Sequence, residues 1–505
     1  MLTITSDQEP LQYPLLNKNS LKANHLSQYV RMTEYPVKVL QIGEGNFLRG
    51  FFDWMMGQLH MRGLYEGSIA VTQPRPTGAA KLQELQRQDG LYHAIIRGIQ
   101  QGERIEEAEL IAGFSMFIDP YQEWDTFLGL SASPELDIIV SNTTEAGLAY
   151  QFSSWNPDKP IRSYPGKLTL FLYHRYVAFS AHPDSGLMIM PCELVERNGD
   201  RLQEIVLQHA EDWNLPEPFK RWVMEHNLFL NSLVDRIVTG FPQAEAESLN
   251  KQLGVQDKLL TAAEPYYLWA IEGDPALDGR LPLKQAGLNV HWVADLRPFQ
   301  LRKVRILNGA HTLLAAIGLL HGFREVREVV QHAELGARVR QAVMEEIVPV
   351  LPLDTDELKR YAEEVIERFL NPFIQHQLTD IAMNSLSKFK VRLIPTLISY
   401  RERFGVLPPI LTEALASLIR LYNVHEEDGR YIGRRLDGMD LVVRDDAAHL
   451  RRLQQLWEQV EQGERKLSEL VDQVLGDREL WDSDLNEMDG LGDAIMAHLL
   501  TMERR

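Results

Sequence analysis

A single cysteine, Cys192, in 505 residues leaves no partner for an intrachain disulfide and no cysteine-rich metal site, as suits a reducing compartment. It follows Gly186-Leu-Met-Ile-Met190, a buried-strand pattern, and reads as an inert core thiol rather than a nucleophile. Long apolar runs are also missing. Nothing approaches the ~18 uninterrupted apolar residues of a membrane span, and the first ~35 residues lack the apolar segment of a secretion signal, so a cytoplasmic location is expected. Positive charge is in deficit: 52 Lys and Arg stand against 71 Asp and Glu, a formal net charge of -19. This argues against nucleic acid or an anionic membrane as partner, and any site for an anionic small molecule has to be locally positive. The 15 histidines are scattered. The densest cluster of possible ligands, His425-Glu-Glu-Asp428, reads as a solvated charged loop before Gly429, and no metal is expected.

What is present points to a large α/β enzyme. The chain is 45% hydrophobic, enough for substantial cores in two to four domains. Val37-Lys-Val-Leu-Gln-Ile42 is a short apolar strand that runs into Gly43-Glu-Gly45-Asn-Phe-Leu-Arg49-Gly50 and then into a helical pattern. In a dinucleotide-binding unit the first glycine allows the tight turn, and the second lets backbone approach the pyrophosphate. Gly43, Gly45, Asn46, Phe47 and Arg49 are therefore candidate cofactor contacts, although the third glycine comes five residues after the second rather than three. An ordinary strand-to-helix turn is the competing reading. The next strand, Ser68-Ile-Ala-Val-Thr72, is followed by Gln73, Pro74 and Arg75, so the acid that would bind the ribose 2′-hydroxyl of NAD is absent. Arg75 meets either a 2′-phosphate or solvent, and the residues alone do not choose between NAD and NADP. A third strand, Leu136–Ser141, leads into Asn142-Thr143-Thr144-Glu145. Thr143, Thr144 and Glu145 are candidates for the nicotinamide ribose or the substrate, or else a helix cap with a first-turn acid.

The pattern changes near residue 280. Short strands give way to helical spacing at 304–322, 335–348, 355–370, 411–421 and 446–475. The expected fold is α/β, with an irregular N-terminal extension (1–36), a Rossmann-like dinucleotide-binding domain (37–285) and a mainly α-helical substrate-binding and catalytic domain (286–505). The segment Glu272–Arg297 is the boundary, which places Lys303 at the domain interface. There, Lys303-Val-Arg-Ile-Leu-Asn308-Gly-Ala-His311 sets an amine, a carboxamide and an imidazole at the start of an apolar helix. In an α-helix Asn308 and His311 lie ~60° apart on one face, and Lys303 has to reach back toward them. Together the three can move a proton at a carbonyl without a metal. A solvated lysine at a helix start with a core histidine is the plainer alternative.

These segments, with Gln88-Asp-Gly-Leu-Tyr92, Lys167–Arg175, Val234-Asp-Arg-Ile237, Arg368-Phe-Leu-Asn-Pro372 and Asn384-Ser385, resemble the polyol-specific long-chain dehydrogenase family, which holds mannitol dehydrogenases and hexuronate reductases. The resemblance runs from about residue 37 to 450. It implies a metal-independent, nicotinamide-dependent oxidoreductase, with NAD as cofactor and Lys303, Asn308 and His311 as catalytic residues. It also implies that Asp235 lies near the polyol. One departure stands out: Cys192-Glu193-Leu194 replaces the Cys-Asp-Asn of mannitol dehydrogenases, so an oxyanion contact is lost and Asn198 is a weak substitute. The uronate-reducing branch fits better, and the implied reaction is reversible reduction of D-tagaturonate to D-altronate, with fructuronate or neutral polyols as alternatives. A uronate needs a cation for its carboxylate, and Lys388 is the expected one, with Arg392 behind it. Lys303 needs partial desolvation or neighbouring cations to act as a base near neutral pH. A nucleotide-binding sensor without catalysis is the reading from a different functional class. The partner is a small hexuronate or aldonate, neither nucleic acid nor membrane, and the oligomeric state is open.

Overall fold

Strands whose residues alternate between two apolar environments have to lie between two layers of helices, and the first half of the chain is built on that rule. The computed structural model describes residues 13–503, which divide into two units: 13–97 with Ile105–Leu296, and Gly98–Arg104 with 297–503.

In the first unit six strands form one parallel sheet: β1 (Val37–Ile42), β2 (Ser68–Thr72), β3 (Phe114–Ile118), β4 (Ile138–Ser141), β5 (Met188–Pro191) and β6 (Leu228–Phe229), in the order 3-2-1-4-5-6. Val39, Ile69, Val71, Ile138, Val140, Met188 and Met190 enter one core with Phe51, Met55 and Trp269. Their neighbours Leu40, Ala70, Ile139 and Ile189 enter the other with Phe127, Phe171 and Phe219. This is a doubly wound sheet, and in such sheets ligands bind beyond the carboxyl ends of the strands, here those of β1, β2 and β4.

Several local expectations are corrected. The helix after the glycine turn is not continuous: Asn46–Arg49 stops, and Phe52–Met61 begins anew. Arg236 donates to the Gly50 carbonyl at 2.8 Å, and a Cβ on Gly50 would lie 2.8 Å from Val238, so this backbone is drawn against its neighbours. Of the N-terminal extension, residues 1–12 lie outside the described residues. The rest is not irregular, because Ala23–Glu34 is a helix that buries Met32. Two smaller sheets were not read from the sequence, one containing Tyr92–Gln100 and Glu103–Ile111 and one containing Ser232–Asp235.

The second unit is not wholly helical. Val424–Glu427, Arg430–Arg434 and Asp440–Val443 form an antiparallel meander, so His425-Glu-Glu-Asp428 is strand and turn rather than loop. Asp428 and Gly429, both at positive φ, make its tight turn, as an Asp-Gly pair between strands requires. The expected helix over 446–475 breaks at Gly463 (φ +75) into Ala447–Glu461 and Leu467–Leu475. No described helix is long and apolar enough to cross a membrane.

Candidate active site

Gly43 has φ +129, open to glycine and not to other residues, and a Cβ there would stand 2.8 Å from the Asn142 carbonyl. Gln41 donates to the Gly43 carbonyl at 2.9 Å and holds the turn from below. Gly45 has an ordinary φ of -71, and a Cβ on it would meet nothing within 4 Å. The fold itself does not need a glycine there, and the missing side chain leaves the backbone open. Beside this turn, a cavity of about 580 Å³ is lined by residues that follow β2 (Pro74, Arg75, Thr77) and β4 (Thr143, Gly147), together with Arg162. Its lining carries two arginines and no carboxylate. Open backbone at the turn and a cationic cavity at the strand ends suit a polyanionic dinucleotide.

The loops of this cavity are held by two residues whose roles the sequence did not disclose. Glu193 is buried; its carboxylate accepts from the Thr143 amide (2.9 Å), the Thr143 hydroxyl (3.0 Å) and the Ser141 hydroxyl (3.0 Å). Burial pushes its pKa up, against those same hydrogen bonds. The departure at Cys192-Glu193-Leu194 was thus a signal for a positioning residue. Lys167 donates to the carbonyls of Pro74 (2.8 Å) and Arg162 (3.2 Å) and to the Tyr121 hydroxyl (2.8 Å). Burial lowers its pKa to about 7. Because the charged form is the better donor, raising the pH through that value loosens the Pro74 and Arg162 loops. Titration of NADH by fluorescence is therefore expected to show about 5-fold weaker binding at pH 9 than at pH 6, from the loss of one charged hydrogen bond. In K167M the dependence is expected to flatten; an unchanged pH profile in that variant would remove Lys167 from this role.

The other residues singled out in this unit are placed unevenly. Thr144 caps the turn Glu145–Leu148, accepting from the Gly147 amide at 3.0 Å, and takes a 2.7 Å hydrogen bond from Arg75. Glu145 is the exposed first-turn acid. Asn46 accepts from Arg49 and Lys81. Phe47 stacks on Phe51 at 4.9 Å. Arg49 is corrected: its guanidinium is buried, donates to the Leu259 carbonyl at 2.7 Å and lies over Tyr92, so it locks the interior instead of facing a phosphate. Asn198 is corrected as well. Its amide nitrogen donates to the carbonyls of Pro191, Glu193 and Ser232, and its oxygen accepts from the amides of Gly199 and Ser232. Nothing is left over for a substrate. Asp235 ends the strand Ser232–Asp235 and is buried.

In the second unit the decisive feature is the backbone. Lys303–Asn308 is a π-helical turn between the α-helices Arg297–Arg302 and Gly309–Leu320, and the Gly309 amide donates to the Val304 carbonyl five residues back. The wider turn brings positions i and i+5 toward one face, so Lys303 and Asn308 share a side of the helix, whereas in an α-helix they would stand about 140° apart. Both are half-buried. Asn308 offers its carboxamide, while its carbonyl accepts from Thr312 at 2.9 Å. His311 is 8% exposed, its Nε2 meets no protein partner, and its ring packs on Phe369 (4.4 Å) and His376 (4.6 Å). Its pKa is held well below the usual value by burial first, then by His376, Arg368, Arg392 and Lys388. The imidazole is thus neutral at working pH, within a group of cations. Lys388 stands on the helix Ser385–Arg392 and donates to the Ile381 carbonyl at 2.8 Å. Arg392 follows it by four residues on the same helical face, a spacing visible in the sequence.

Comparison with known proteins places both halves of the chain in one family. Residues 37–285 match the mannitol dehydrogenase Rossmann domain, and residues 295–503 match the mannitol dehydrogenase C-terminal domain. The chain is 42% identical to the altronate oxidoreductase of Bacillus subtilis (strain 168) over 93% of its own length and 94% of that protein's. It is likewise 42% identical to the altronate oxidoreductase of Yersinia enterocolitica, over 93% and 95%. Among solved structures, D-sorbitol dehydrogenase in substrate-free form has the same fold (TM-score 0.76, 20% identity, 94% of each chain). So does Pseudomonas fluorescens mannitol 2-dehydrogenase in ternary complex with NAD and D-mannitol (TM-score 0.65, 20% identity, 96% of each chain).

Proposed function

The chain belongs to the mannitol dehydrogenase family and is an oxidoreductase acting on a CH–OH group; from that premise we propose that it reduces D-tagaturonate to D-altronate, reversibly, with NAD and without a metal. The observation that supports this reading is the π turn, which brings Lys303 and Asn308 toward one face three residues before His311, whose buried Nε2 has no protein partner. The name shared by relatives at 42% identity supports the uronate as substrate. The cations around His311 support an anionic one.

When bound, the nicotinamide supplies the hydride for reduction and takes it back for oxidation. The backbone of Gly43 and Gly45 and the side chains of Asn46, Thr143 and Thr144 would hold the cofactor. Lys303 gives its proton to the ketone oxygen as the carbon is reduced, and receives it again in the reverse direction. Asn308 donates an N–H to that oxygen as its charge grows, and the neutral His311, protonated on Nε2, donates a second. Asp235 accepts from a substrate hydroxyl. Lys388 adds positive charge for the carboxylate.

The test is oxidation of NADH and of NADPH by chelator-treated protein with D-tagaturonate, D-fructuronate and D-fructose in parallel. Fast NADH oxidation with D-tagaturonate is the expected result. Preference for D-fructose would move the chain to the polyol branch, and activity lost to the chelator would overturn the lysine mechanism.

A further inference from the structure

Several arginines in the second unit are matched by an acid: buried Arg302 pairs with Glu357 at 2.7 Å, buried Arg420 with Glu503 at 2.5 Å, and half-buried Arg338 with Glu413. Arg392 is different. It is half-buried, and among the described residues its guanidinium donates from Nη1 to the Thr312 hydroxyl (3.1 Å) and the Asn308 carbonyl (3.5 Å). Among the described residues no carboxylate pairs with it, and Nε and Nη2, one edge of the guanidinium fork, carry no partner. Both of its acceptors belong to the segment that presents Asn308 and His311, so the fork is anchored beside the residues that hold the reacting oxygen. Arg305 donates to the carbonyl of Arg392 itself (3.4 Å) and to Thr396, bracing the end of that helix without supplying a negative charge.

A guanidinium taken partly out of water without a counter-ion is costly, and an arriving anion offsets that cost. The open Nε and Nη2 edge matches the two oxygens of a carboxylate, which a lysine ammonium meets only as a point charge. We propose that Arg392 is the carboxylate receptor of this enzyme and the residue that selects keto-hexuronates over neutral ketoses. The proposal rests on the uronate reading above and reverses the order expected from the sequence, with Lys388 as the auxiliary charge.

The experiment compares wild type, R392Q, R392K and K388A as full-length enzymes with NADH. The selectivity ratio, kcat/KM for D-tagaturonate over kcat/KM for D-fructose, is expected to fall on the order of 10²-fold in R392Q, the loss of a charged hydrogen-bonded pair, and to fall mainly through KM. R392K is expected to recover part of it, and K388A to lose less than R392Q. An unchanged ratio in R392Q, or a larger fall in K388A, would overturn the assignment. Calorimetric titration of D-altronate into the NADH-loaded enzyme separates this from the functional reading. If wild type does not reduce D-tagaturonate, that reading fails, yet binding of D-altronate lost in R392Q still supports the receptor. Binding equal in wild type and R392Q, or absent from both, overturns it.

Discussion

Replacing Lys303 by alanine is expected to lower kcat by about 10²–10⁴-fold, the usual contribution of a positioned general acid/base, while the affinity for NADH stays within about twofold of wild type. The separation follows from where the residues lie. Lys303 is in the π turn of the second unit, whereas the glycine turn and its cationic cavity belong to the first. The side chain is half-buried rather than a core element, so its truncation should leave the fold intact. Rapid-mixing kinetics with D-tagaturonate and fluorescence titration with NADH check both halves. A K303A enzyme within tenfold of wild type would mean that another group moves the proton. A wild type that binds NADH but turns nothing over would be the sensor.

Gly43→Ala is expected to be the most damaging single methyl group near the cofactor. Positive φ at Gly43 strains any other residue, at about 1–3 kcal/mol. The added Cβ would also stand 2.8 Å from the Asn142 carbonyl, which is backbone and cannot rotate away. The variant should melt several degrees lower and bind NADH at least ~10²-fold more weakly, because the turn moves off the end of β4. Gly45→Ala is the informative companion. Its φ is ordinary and the space beside it is open, so stability should be preserved while cofactor affinity falls. Equal melting temperatures for wild type and G43A, or full NADH affinity in G45A, would refute the assignment of this turn.

Features carried by local periodicity were readable. The strands at 37–42 and 68–72 show their apolar residues, and the helix read at 355–370 from its spacing is observed at 355–369. The Gly43-Glu-Gly45 turn declared itself because glycine at a strand end has few other uses. Harder to read were features that depend on distant partners. Arg49 looks like a phosphate contact next to a glycine turn, and only Leu259, more than two hundred positions away, turns it inward. Asn198 looked free until Pro191, Glu193 and Ser232 claimed every donor and acceptor it has. The meander at 424–443 hid behind charged strands, although Asp428-Gly429 is a hairpin signal in its own right.

The sequence alone determined the chemical types available: one amine, one carboxamide and one imidazole within nine residues, a glycine turn after a strand, and a single cysteine that leaves no intrachain disulfide and no cysteine-rich metal site. Those are properties of residue identity and order, which no packing can change. Tertiary structure decided how they are aimed. An extra residue accommodated in the π turn brings Lys303 and Asn308 toward one face, and neighbouring elements set the charge and partners of His311 and Arg392. Helix pitch and desolvation depend on what surrounds a segment, and those surroundings are assembled from residues far apart in the chain.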